Sequence, residues 1–289
     1  MNHGLIPYVG GKHRLAHRLV EMCAVPPADT FVDVFGGSAA VTLAAGDRFG
    51  KLIYNDVDGD LVNLFRVISD PGTRQLLFRL LRWLPPSRRV FEDDYRQYVA
   101  GGFSFHAVAD PIERARRTFY RHCFVFGGKV RSGGFAISTG DRDRIKEVPR
   151  YRNALRKLAR IGGLFRRVVI ENLHYSELIR IHGRRNDAVL FIDPPYHGSE
   201  DYYSRTFGAG DHAFLANQLA TVPARVVCTY YDTPGIRSLY PPPLWRWESI
   251  AATKNSAFTK GNKVLTSEHV IIKEAFQKTS PPPVSHDYH

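Results

Sequence analysis

Ala188-Val189-Leu190-Phe191-Ile192-Asp193-Pro194-Pro195-Tyr196 runs a buried-strand pattern straight into Asp-Pro-Pro-Tyr. Val189 to Ile192 is apolar and partly β-branched, as suits a strand covered on both faces. Pro194 and Pro195 lack N–H groups and cannot continue a central strand. The chain therefore leaves the sheet at Asp193. An acid and an aromatic ring are set at the carboxyl edge of the sheet, where open α/β folds bind ligands. An ordinary proline turn explains the prolines, but not the acid and the tyrosine that flank them.

Outward from this strand, the 289 residues are 44% hydrophobic, enough for one large core or two modest ones. No apolar run approaches the roughly 20 residues that span a bilayer. Met1 to Lys12 has no signal-peptide core. Cys23, Cys123 and Cys228 have neither metal-ligand spacing nor a disulfide framework. They read as buried thiols of a cytoplasmic protein, with no metal site. The net charge is +12 and unevenly placed. Arg66 to Arg167 holds 23 Lys and Arg against 9 Asp and Glu, and the remainder holds 17 against 19. A basic excess confined to one segment points to a polyanion, because clustered cations neutralise phosphates and release counterions.

The chain opens on Tyr8-Val9-Gly10-Gly11-Lys12, whose glycines let the backbone approach a ligand beside a cation. A helix is predicted over His13 to Cys23 and a strand over Thr30 to Phe35. That strand empties into Phe35-Gly36-Gly37-Ser38, a glycine turn before a helix of small residues. Such a turn brings free N–H groups to a ligand, as in nucleotide sites, but it lacks the G-x-G-x-x-G spacing. Asp33 at the strand end suits a cationic ligand group. A strand over Lys51 to Tyr54 ends at Asn55-Asp56. There an acid either holds ribose hydroxyls or caps the helix predicted over Gly59 to Ile68.

From Pro71 the character changes. Helical stretches over Gln75 to Leu84, Pro111 to Phe124 and Arg150 to Ile161 alternate with glycine-rich and charged loops. Gly127 to Phe135 carries Lys129 and Arg131 among glycines, and suits a flexible finger on a nucleic-acid backbone or a plain surface hairpin. Arg117 and Arg121 lie on the helical stretch beside it. Segment 71–167 reads as an inserted, mainly helical, basic subdomain. Strands are predicted over Arg167 to Glu171, Arg225 to Thr229, Trp245 to Ala251 and His269 to Lys273. Helices are predicted over Tyr175 to Ile181 and His212 to Thr221. The basic loop Lys254 to Lys263, with Lys260 and Lys263, is a second DNA-facing candidate. Residues 279–289, with three prolines, read as a disordered tail.

Taken together and in order, these motifs resemble the D12-class (Dam-like) family of N6-adenine DNA methyltransferases. The resemblance rests on Tyr8 to Lys12, Phe31 to Ser38, Tyr54-Asn55-Asp56, Phe119-Tyr120-Arg121 with the glycine loop, Phe191 to Tyr196 and Asp232 to Arg237. It implies an α/β fold: a Rossmann-like methyltransferase core over 1–70 and 168–278, interrupted by the DNA-recognition insert 71–167. It implies S-adenosylmethionine as the cofactor and double-stranded DNA as the partner. By position, Tyr8, Gly10, Gly11 and Lys12 enclose the cofactor. Asp33, Phe35, Gly36 and Gly37 lie under its methionine part, Asp56 takes the ribose, and Tyr175 packs on its adenine. His174 stands where the family often has an acid. Asp193, Pro194, Pro195 and Tyr196 are the catalytic tetrapeptide.

The residue types suit the reaction. An adenine amino nitrogen is a poor nucleophile. Hydrogen bonds to the Asp193 carboxylate and the Pro194 carbonyl favour a pyramidal nitrogen aimed at the methyl group. Tyr196 offers a stacking face, and the base must be flipped out of the duplex. Two alternatives remain: an N4-cytosine enzyme, which more often has Ser at the Asp193 position, and a nucleic-acid-binding module with a vestigial cofactor fold. A restriction-modification role brings with it a cognate restriction endonuclease acting on the same site, with no direct contact implied.

Overall fold

The computed structural model describes residues 4–26, 28–136, 147–196, 207–250 and 268–275. Seven strands form one sheet among them: β1 (Thr30–Asp33), β2 (Lys51–Asn55), β3 (Val168–Glu171), β4 (Ala188–Ile192), β5 (Arg225–Tyr231), β6 (Arg246–Ile250) and β7 (Glu268–Lys273). Their order is β3-β2-β1-β4-β5-β7-β6. The first five strands are parallel, and β7 runs antiparallel to both β5 and β6. Every residue of β1 and of β4 is buried, as their apolar runs require. Alternate residues serve opposite faces, with Phe31 and Phe191 on one side and Val32, Leu190 and Ile192 on the other.

Helices α1 (Ala16–Cys23), α2 (Ala40–Ala45) and α3 (Gly59–Ser69) cover the Phe31 face. Four more helices follow: α4 (Pro71–Arg82), α5 (Arg88–Ala100), α6 (Pro111–Phe124) and α7 (Glu147–Phe165). The 71–167 segment is mainly helical, and it shares a core with the sheet. Leu77, Phe91, Phe119 and Tyr151 join the apolar cluster that holds Phe31 and Tyr54. α5 was not among the predicted helices. Its Asp94 is buried against Arg116 through two bonds of 2.8 and 3.0 Å, so a charged side chain stands where periodicity seeks an apolar one. α8 (Tyr175–His182), α9 (Ala209–Thr221) and α10 (Pro234–Leu239) complete the fold, α8 and α9 on the opposite face. The expected loop Lys254 to Lys263, including Lys260 and Lys263, and the tail 279–289 lie outside the described residues.

One buried amide ties the sheet to the loop that follows β3. Asn55 Nδ2 donates to the carbonyls of Val34 (2.9 Å) and Leu173 (3.2 Å), and Leu173 N donates to Asn55 Oδ1 (2.8 Å). Replacing Asn55 by Ala strands three buried polar groups, at a cost of about 2 kcal/mol. Urea denaturation should show a lower midpoint at an unchanged slope.

Candidate active site

The parallel order brings the carboxyl ends of β1, β2 and β4 to one edge, where a cavity of about 600 Å³ opens. Tyr8, Gly10, Gly11, Lys12, Asp33, Phe35, Gly36, Gly37, Asp56, Tyr175 and Asp193 all line it, with Pro195. Pro194 and Tyr196, the other two residues of the tetrapeptide, are buried.

Asp33 ends β1 fully enclosed. It accepts a hydrogen bond from Thr42 Oγ1 (2.6 Å). Burial, aided by the nearby Asp193 and Asp56 carboxylates, pushes its pKa up to about 7 against the pull of Thr42. Asp56 is likewise raised by burial. It accepts from Gly37 N and from Asp58 N, each at 2.8 Å. Asp58, not Asp56, caps α3, accepting from Asp60 N and Leu61 N. Asp56 is thereby left to brace the glycine turn and face the cavity. At Gly37, φ is +48°, and an added Cβ would stand 2.8 Å from the Tyr8 ring. Only glycine permits both this conformation and so close a ring.

Asp193 Oδ1 accepts from Thr229 Oγ1 (2.6 Å) and stands 2.8 Å from Lys12 Nζ. Lys12 also donates to Gly10 O (3.0 Å), and its ammonium lies 4.8 Å from the centre of the Tyr196 ring. Tyr196 stacks on Tyr230 at 5.8 Å and meets Tyr231 edge-on at 4.6 Å. The amino-terminal glycine loop and the tetrapeptide at the end of β4 are thus one constellation.

The model of the D12 class N6 adenine-specific DNA methyltransferase family matches residues 8–254. The chain belongs to this family. It is also 25% identical over 248 residues to the Type II methyltransferase M.CviBI of Paramecium bursaria Chlorella virus NC1A, spanning 82% of this chain and 85% of that one. The protein is a DNA adenine methyltransferase.

For a methyltransferase, the far wall is informative. Phe35 stacks on Tyr175 at 5.6 Å, and Phe207 packs against both rings, at 5.9 and 5.5 Å. His174 lines the same wall and caps α8 through its ring, Ser176 N donating to Nδ1 at 3.4 Å. Sequence reasoning missed Asn55, Phe207 and Asp211, which also line the cavity. Asp211 accepts from Gly208 N at 2.8 Å at the start of α9. The three-residue spacing from Gly208 to Asp211 was the available signal.

The basic segment needs correction. Arg121, expected on DNA, is 1% exposed. Its guanidinium is spent on Val130 O, with Nε at 2.7 Å, and on three aromatic rings. Arg117, expected there too, is held by Glu113 (2.8 Å) and Asp94 (3.5 Å). Buried or ion-paired arginines are not offered to a phosphate. Segment Gly127 to Phe135 is no free finger either. A bridge joins Val125 to Phe135, Phe126 N donates to Gly134 O (2.9 Å), and Ala136 N donates to Phe124 O (2.7 Å). Lys129 is exposed on this closed loop, while Arg131 reaches the cavity. His122, buried and neutral with its pKa pushed down to about 4, stacks on Tyr8 at 5.8 Å. That contact joins α6 to the amino-terminal loop.

The raised pKa of Asp33 sets a pH dependence. The folded chain keeps a proton that the unfolded chain releases near pH 4, so this stability is lost as pH rises through about 7. Ligand-free Asp33→Asn should melt above the unaltered protein at pH 8, and the gap should narrow toward pH 6.

Proposed function

We propose that the cavity binds S-adenosylmethionine and receives a flipped adenine of duplex DNA against Asp193. The donor set fits this cofactor. The buried Asp33 carboxylate matches an ammonium, and Asp56 matches ribose hydroxyls. The Gly36-Gly37 turn lines the cavity and packs closely on β2, where a Cβ on Gly36 would stand 2.2 Å from the Tyr54 ring. Phe35, Tyr175 and Phe207 form an aromatic wall for the adenine moiety. When bound, the cofactor supplies an electrophilic methyl group on a sulfonium. The observation that carries the reading is that Asp193 lies in the same cavity as these two acids.

The chain's own groups do the orienting. Thr229 and Lys12 fix the Asp193 carboxylate at Oδ1, which aims it at an incoming amino group. The Asp193 carboxylate and the Pro194 carbonyl accept the two amino protons and direct the lone pair along the transfer line. Much of the acceleration then comes from holding nucleophile and donor in register. One face of Tyr196 packs on Tyr230 and Lys12 covers the ring, so stacking of a base on Tyr196 requires the ammonium to swing away. After transfer the surplus proton leaves through the Asp193 carboxylate to solvent. The adenine-specific family sets aside the N4-cytosine alternative.

Lys129 and Arg131 serve the phosphate backbone from the closed loop, and the chain works in the cytoplasm. The likeness to a Type II methyltransferase supports pairing with a restriction endonuclease that cuts the same site.

Asp193→Ala should lower N6-methyladenine formation in duplex DNA by about a thousandfold or more, by analogy with losing a preorganised polar group. Saturable S-adenosylmethionine binding should persist, as read by calorimetry. Near-normal turnover would sink the mechanism, and no binding by the unaltered chain would favour the vestigial reading. Lys129→Ala should reduce the slope of log affinity against log salt by about 0.9, measured by fluorescence anisotropy on a duplex. An unchanged slope would remove Lys129 from the interface.

A further inference from the structure

Arg121 is a buried cation without a carboxylate partner among the described residues, an arrangement that costs desolvation and calls for a reason. Its guanidinium carbon lies 5.1, 4.4 and 4.9 Å from the rings of Phe91, Tyr95 and Tyr98. Those faces supply cation–π attraction in place of an acid. Nε and Nη2 both donate to Val130 O. The next carbonyl along, Arg131 O, accepts from Tyr95 OH at 3.1 Å. The two carbonyls that flank the Arg131 Cα along the chain are therefore held by Arg121 and by the Tyr95 hydroxyl.

The Arg131 side chain is held through the same cluster. Its guanidinium carbon lies 4.5 Å from the Phe103 ring, and Phe103 meets Tyr98 edge-on at 6.0 Å. Phe103 has φ of +64°, a conformation that a bulky residue adopts only when its surroundings impose it. The Tyr98 carbonyl imposes it, accepting from Phe103 N (2.9 Å) and Ser104 N (3.2 Å). A continuous stack thus runs Arg121–Tyr98–Phe103–Arg131, from the buried core of the insert to the mouth of the cavity. One donor is left over. Arg121 Nη1 has no hydrogen-bond partner among the described residues, and Arg121 borders a gap of about 10 Å³ lined by Asp58 and Asp60 together with Tyr98, Phe105 and Val130. That is close to the room one water needs.

We propose that Arg121 is a positioning residue: it sets Arg131 at the cavity mouth through Val130 and the Tyr98–Phe103 stack, and one ordered water between Nη1 and the Asp58–Asp60 carboxylates completes its bonding. This rests on the methyltransferase reading, in which Arg131 meets a phosphate of the bound duplex.

A double-mutant cycle on duplex binding tests it, with affinity read by anisotropy across a salt series. Arg131→Ala should weaken binding by about fivefold or more and lower the salt slope by about 0.9. Arg121→Leu should lower the slope by the same amount although residue 121 is buried, and the double variant should bind no worse than Arg131→Ala alone. Arg121→Lys keeps a cation and one bond to Val130, and should recover part of the affinity. Phe103→Leu leaves Arg121 in place. It should show the same non-additivity with Arg131→Ala, and it serves if Arg121→Leu does not fold. Multiplying effects, or a lower melting point with an unchanged salt slope, would overturn the proposal by reducing Arg121 to a packing role. A high-resolution crystal structure should show the water on Nη1, and its absence would overturn that part. Failure of the unaltered chain to bind any duplex would instead overturn the methyltransferase reading, before the cycle is begun.

Discussion

Parallel pairing of β1 with β4 forces Asp33 and Asp193 to the same sheet edge, and the rest of the site answers the charge problem this creates. In register Asp33 lies opposite Phe191, two residues short of Asp193. Two carboxylates so placed, with Asp56 from the next strand, repel one another and disfavour ionisation. The fold gives each a different remedy. Asp193 has the Lys12 ammonium and the Thr229 hydroxyl. Asp56 has two backbone N–H groups. Asp33, among the described residues, has the Thr42 hydroxyl and burial. In the proposed function, this difference divides one cluster of acids into a reacting end and a donor-binding end.

The insert enters the same economy of contacts. Its helices share a core with α3, and buried Asp60 binds Arg114 at 2.6 Å and Phe105 N at 2.8 Å. His122 stacks on Tyr8, and Arg131 lines the cavity. Through Arg131 this helical segment contributes to the wall of the cavity. A shift of α6 is felt at the amino-terminal loop through the His122–Tyr8 contact, since close-packed interiors transmit small shifts.

Much of the site was legible in the chain. A β-branched run stopped by two prolines must leave a sheet, and an acid at that point must lie at its carboxyl edge. Glycines at 36 and 37 mark a turn that tolerates no side chain. The five strands that pair in parallel were expected as strands, β4 from its continuous apolar run, and their Rossmann-like arrangement came with the family resemblance. α5 was not legible, because its register depends on a buried Asp94–Arg116 pair that is polar in composition. Arg121 misled for the same reason. A cation in a basic segment suggests a surface, and only three rings arriving from α5 make it a strut.

Sequence by itself determined which acids and glycines stand at which strand ends, because backbone constraints at proline and glycine act locally. Tertiary structure alone decided how the charges are shared. The partner of Asp193 is Lys12, distant in the chain, and the ring over which that ammonium rests is Tyr196. Which arginines face outward was likewise decided by packing. Burial and pairing depend on what other segments bring to a side chain, and no local pattern contains that information.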